Sequence, residues 1–297
     1  MADSQWPSVR QLLAMNDAEL ARQDIAAVDL ACAAGLPGAE DLDIPRCLAK
    51  LDEWTDLVAS GTECSLHRRA KEHSYREFSD AQFRILVMIT VLQRNLGVRY
   101  NLAFSQGKYD ASDSNNLMLH GLLTGHGGTC VTMPVLYAAI GRRLGYPIKL
   151  ALAKEHTFCR WDDQHGERFN IEATSPGFNS TTDDYYLMWP KSLTSQEIAS
   201  GRWLVSLSSR EELAFFLGER GSCCVDNLMT LQAVEACYHS HKLAPHDPVY
   251  EYRWGVAIML HRAVKEMERQ GQLTPFSNTL LMPAPKEPWE KCFYPHA

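Results

Sequence analysis

GHGGTCVTMPVLYAAIGRRLGYPI, residues 125–148, sets a cysteine between a run of glycines and the start of a helix. Val131, Val135, Ala138 and the stretch 140–144 supply an apolar face. Arg142 and Arg143 fall in the last turn, where cations meet the negative helix end, and Gly145 follows as the stop. Pro134 must lie in or before the first turn, since deeper it would remove a backbone hydrogen bond. Cys130 therefore lies at the N-terminal edge of this helix. Packing alone does not require that setting, whereas a reactive thiol gains from it: an ordinary thiol is mostly protonated at neutral pH, and a helix N-terminus with a nearby imidazole favours the thiolate.

The next residues are strands. PIKLALAK alternates Ile148, Leu150 and Leu152 with Lys149, Ala151 and Ala153, and EHTFCRW and ERFNIEAT are two further strands joined through DDQHG. A hairpin centred on Gln164 pairs Arg160 with Arg168, Phe158 with Asn170 and His156 with Glu172, all on one face. Glu172 is then a cross-strand neighbour able to orient the imidazole. A register two residues different would keep the face and make Asn170 or Thr174 the partner. A thiol, an imidazole and a group that fixes the imidazole's tautomer are the parts of a nucleophilic cysteine site.

Together, GGTCVTMPVLYAAIGRRLGYPIKLAL, EHTFCRW and FNIEAT resemble the transglutaminase-like superfamily of papain-type cysteine enzymes. The resemblance implies Cys130 as nucleophile, His156 as general base and Glu172 where the family usually has aspartate. The family's proline after the acid is replaced by Ala173. NNLMLHGLLTGHGGTC resembles the lead-in of a bacterial branch of that superfamily, with Asn116 as the matching asparagine. Asn116 is a candidate oxyanion helper, with helix capping as its ordinary role; the backbone amide of Cys130 is the better donor. The same branch tends to carry a tetratricopeptide-like repeat. In LAFFLGERGSCCVDNLMTLQAVEACYHSHKLAPHDP, Gly221, Ala233, Ser240 and Pro245 stand at the spacing of such a repeat's small residues and terminal proline.

Upstream, the residues read as helical. LDEWTDLVASG (51–61) is expected to end at Gly61, DAQFRILVMITVLQRNLG (80–97) at Gly97, and HRRAKEHSYREF between them is a charged face or loop. Residues 174–200 read as a polar loop, in which DDYYLMWP (183–190) either lines a substrate groove or, the preferred reading, covers the edge of the core. Helices return after residue 200. The expected architecture is α+β: a helical region over 1–104, a catalytic core over 105–200 and a helical, repeat-like region over 201–297.

Composition narrows the function. The 297 residues are 45% hydrophobic and 22% charged, with a net charge of −7. That balance offers no cationic field for nucleic acid, and no apolar run approaches the roughly 20 residues of a membrane span. The polar N-terminus and nine irregularly spaced cysteines point to a cytoplasmic chain without disulfide staples. No GxxxxGK[ST] is present, so the glycine run is not a phosphate loop. Cys237 with His241, or His120 with His126, would give only two metal ligands each, too few for a structural site. No cofactor or metal is expected.

The reading is a cysteine-dependent amide hydrolase or acyltransferase acting on a protein or peptide through a thioester, with a protein partner recruited by the C-terminal helices. The alternative is a catalytically silent scaffold of the same fold.

Overall fold

The computed structural model describes residues 6–69, 77–105, 110–163 and 166–271. The chain runs through α1 (Val9–Ala14), α2 (Asp17–Leu20), α3 (Ile25–Ala33), α4 (Ile44–Arg69), α5 (Asp80–Thr90), α6 (Leu102–Ser105), α7 (Leu119–Thr124) and α8 (Thr132–Arg143). Strands β1 (Ile148–Ala153), β2 (His156–Asp162) and β3 (Arg168–Ile171) follow. Helices α9 (Asp183–Met188), α10 (Ser195–Ala199), α11 (Ser209–Asp226), α12 (Thr230–Leu243) and α13 (Pro248–Arg269) complete it. The class is α+β, with one three-stranded antiparallel sheet in the order β1-β2-β3 between two helical regions.

Helix α8 is the hub. Every residue from Thr132 to Gly141 is buried, because α3, α4 and α7 surround it and β1 and β2 lie across it. Gly141 allows the approach of β1: a Cβ there would sit 2.2 Å from Ile148 Cδ1. Gly145, at φ +77°, then reverses the chain into β1. Arg142, in the last turn, pairs with Glu212 and fastens α8 to α11.

Two expectations about helices change. Helix α4 does not stop at Gly61 but continues to Arg69. The glycine is a contact point, its missing Cβ making room for Val91 and Val87. The stretch 174–200 is not all loop, since α9 and α10 lie in it. Much of HRRAKEHSYREF, and the turn residues Gln164 and His165, lie outside the described residues.

The C-terminal helices pack one upon the next. Gly221 on α11 meets Cys237 on α12, while the Ser240 hydroxyl donates to the Ala214 carbonyl at 2.7 Å, so the two helices run antiparallel. One hydrophobic cluster takes in residues from α1 through α13, including Leu30, Leu136, Ile171, Phe216 and Ala257.

Helix α3 is buried along its whole length and carries a carboxyl into that core. Asp29 Oδ1 accepts the Leu119 backbone N–H at 2.8 Å, capping α7 from a distance, but Oδ2 has no hydrogen-bond partner. Burial pushes the group up to about 7, against the pull of the Leu119 bond. The folded chain thus holds a proton that the unfolded chain releases near pH 4. Stability falls as pH rises between those values and is flat above them. Asp29→Asn should raise the unfolding free energy at pH 8 by roughly 4 kcal/mol, with the gain shrinking toward pH 4. Urea denaturation at both pH values measures it; a gain independent of pH would contradict the assignment.

Candidate active site around Cys130

The glycine run has a structural reason. Gly128 is held on both sides by the segment before α6, accepting from Asn101 N at 2.7 Å and donating to Arg99 O at 2.8 Å. A Cβ on Gly128 would lie 2.2 Å from Met133 Cγ, and Gly127 has φ +85°. Only glycines let the chain pass this close before the helix begins.

The first turn of that helix is then capped reciprocally. Thr129 Oγ1 accepts from Val131 N at 3.2 Å and Thr132 N at 3.1 Å, and Thr132 Oγ1 accepts from Thr129 N at 2.9 Å. Cys130 lies between Thr129 and the start of α8, half-buried, at the N-terminal edge of the helix where its sequence position puts it. Asn116 approaches through its backbone alone, its carbonyl accepting from Thr129 Oγ1 at 3.0 Å. Its side chain donates instead to the Asp110 carbonyl at 2.9 Å.

His156 opens β2 and is 7% exposed; Glu172 follows β3 and is 3% exposed. His156 Nε2 lies 2.8 Å from Glu172 Oε2. The hairpin register differs by two residues from the expected one: Arg160 pairs with Asn170, Cys159 with Ile171 and Asp162 with Arg168. In that register position 174, not 172, lies opposite His156. Glu172 still reaches the imidazole as a diagonal neighbour, a span its extra methylene over aspartate helps to cover.

Asn170 takes no part in orienting His156. Its Oδ1 accepts from Arg160 Nε at 2.7 Å and its Nδ2 donates to Asp183 Oδ1 at 2.8 Å. Thr174 serves the acid rather than the imidazole, giving Glu172 Oε1 its backbone N–H at 2.8 Å and its hydroxyl at 2.5 Å.

Two residues of DDYYLMWP complete the surroundings in a way that sequence reasoning did not foresee, Tyr186 on α9 and Trp189 just after it. Tyr186, fully buried, donates its hydroxyl to Glu172 Oε2 at 2.8 Å and stacks on Phe158 with ring centres 4.0 Å apart. Trp189 meets the imidazole edge-on at 4.6 Å. DDYYLMWP does cover the core edge, as read, and it covers the His156–Glu172 pair as well. No local pattern linked Tyr186 to an acid fourteen residues earlier.

Charge at the site is set by these contacts. Burial pushes Glu172 up, but the hydrogen bond and charge of His156 and both Thr174 donors outweigh it, holding the carboxyl below its ordinary range. An ionised carboxylate only accepts, so Nε2 carries the imidazole's proton and Nδ1 is left as the free base in the neutral ring. Cys130 goes the other way. Burial first, then the charge of Glu219, push its thiol up to about 11; its own backbone N–H draws it down and Glu172 adds to the rise. Among the described residues no hydrogen bond joins Cys130 to His156. The resting thiol is protonated at neutral pH, not the preformed thiolate that its helix position alone implies.

Among the described residues, no three His, Cys, Asp or Glu side chains converge as metal ligands. His120 Nε2 faces the Gly38 carbonyl at 3.1 Å, and His241 stacks on Trp254. No helix among them is long and apolar enough to cross a membrane.

The family model of the transglutaminase-like superfamily matches residues 47–211, a span holding Cys130, His156, Glu172 and Tyr186. The match covers more than half of the chain, which belongs to that superfamily. No curated protein and no solved structure matches it.

Proposed function

We propose that the chain is a cysteine-dependent amide-bond hydrolase or acyltransferase, with Cys130 as nucleophile, His156 as base and acid, and Glu172 as the group that orients the imidazole. The observation that carries this reading is the buried, ionised Glu172 on His156 Nε2: it leaves Nδ1 free for a proton. Because the thiol is protonated at rest, its proton passes to Nδ1 as sulfur attacks the substrate carbonyl. The Cys130 backbone N–H, at an open helix end, is the nearest donor for the developing oxyanion. As the tetrahedral adduct collapses, the C–N bond breaks, His156 returns the proton to the leaving amine and a thioester remains. Water then completes hydrolysis, the branch we favour; an amine in its place would complete transamidation.

In this reading the substrate is a protein or peptide in the cytoplasm, and the chain belongs to the bacterial branch with a tetratricopeptide-like repeat. Supporting the repeat, Ala233 and Ser240 are fully buried between helices that pack antiparallel. Helices α11–α13 would then recruit a protein partner. A silent scaffold is the second reading, favoured by the raised Cys130 thiol and its missing bond to His156.

The two readings separate by mass. Mixing the full chain with 4-nitrophenyl acetate and quenching in acid should trap an acetyl thioester on Cys130, absent in Cys130→Ser. No adduct at Cys130, or acetylation at lysines alone, would favour the scaffold.

A further inference from the structure

We propose that Tyr186 is a positioning residue of this site, holding the long carboxylate of Glu172 on His156 through its hydroxyl; the proposal rests on the enzymatic reading above. Glutamate brings one more rotatable bond than aspartate, so its carboxylate needs more fixing to present one oxygen to the imidazole. Four donors supply it. Thr174 holds Oε1 twice, and Tyr186 shares Oε2 with His156, each at 2.8 Å. The tyrosine is itself closely packed: its ring is fully buried against Phe158.

Its helix is fastened from beneath. Arg160, with no exposed surface, gives Nη2 to Asp183 Oδ1 at 2.5 Å, Nη1 to the Leu204 carbonyl at 2.8 Å and Nε to Asn170 Oδ1 at 2.7 Å. Asp183 is the first residue of α9. A chain of contacts thus runs from buried Arg160 on the sheet through half-exposed Asp183 and α9 to the acid.

The hydroxyl has a consequence that packing lacks. Each donor to a carboxylate favours its ionised form. Removing one makes Glu172 more basic, which moves the acid limb of the profile upward. The other titratable groups in the field of Glu172 are Tyr100, Cys130, Tyr137, Cys159 and Tyr185. All of them are pushed up by burial first and stay neutral in acid.

The test is the pH profile of Cys130 alkylation by iodoacetamide in the full chain, comparing wild type with Tyr186→Phe, which keeps the stacked ring. The expected result is an acid limb raised by about one pH unit. In a Glu172→Asp background, where the shorter acid cannot hold both donors, the same change should shift nothing. If Tyr186→Phe does not fold, 3-fluorotyrosine introduced at position 186 alone, a stronger donor, should lower the limb instead. A limb unmoved by these changes, with alkylation still dependent on His156, would overturn the role of Tyr186 and leave the enzymatic reading intact. Alkylation indifferent to His156→Ala would overturn both.

Discussion

His156→Ala should slow acetylation of Cys130 by 4-nitrophenyl acetate at pH 7.5 by about 10²- to 10⁴-fold, the range of a positioned general base. The size follows from the state of the thiol. Cys130 is pushed up to about 11 by its burial, and Glu219 and Glu172 add to the push, so at pH 7.5 the spontaneous thiolate is scarce. In the proposed mechanism the free Nδ1 of His156 takes the proton as sulfur attacks. The remaining donor, the backbone N–H of Cys130, is untouched by the mutation, so the loss reports proton transfer. Stopped-flow absorbance of the released nitrophenolate, paired with adduct mass, measures it. A variant within threefold of wild type would mean that His156 is only a buried partner of Glu172.

Arg160→Leu should lower the unfolding free energy by about 3 kcal/mol, the lower end of what removing one partner of a buried ion pair costs. The guanidinium satisfies Asn170, the Leu204 carbonyl and Asp183 together and lies over the Phe158 ring. Leucine fills part of the space but returns none of these bonds. Asp183 is 39% exposed and recovers water, which keeps the loss at the lower end; Asn170 and the carbonyl do not. Urea unfolding followed by circular dichroism should show a lower midpoint with an unchanged slope. A loss under 1 kcal/mol would mean that α9 is held by its aromatic contacts alone.

What was legible in the sequence was what short-range chemistry dictates. Glycine lead-in, Pro134, the paired arginines and Gly145 all act within a turn or two of α8, and the helix stands where they put it. Alternating residues likewise located the three strands. Gly61 misled because a glycine that ends a helix and one that admits a neighbouring side chain look the same in sequence; only the later packing of Val87 and Val91 distinguishes them. The hairpin register slipped by two because period-two patterning fixes a face and leaves the partner open. Glu172 stayed with His156 because a glutamate reaches along a diagonal. Helix α10 carried a readable signal, the Thr194–Glu197 capping box, beneath the polar composition that marked it as loop. The raised thiol of Cys130 could not be read at all, since it comes first from burial in the folded chain and then from Glu219 on α11.

The most direct test of the account is the rate of Cys130 alkylation by iodoacetamide from pH 5 to 11, resolved by mass spectrometry, in wild type and in His156→Ala. The account predicts that the variant follows the thiol's own ionisation near 11, while the wild type reacts faster than it at neutral pH. Superimposable profiles would contradict a working Cys130–His156 pair and leave the scaffold reading in its place.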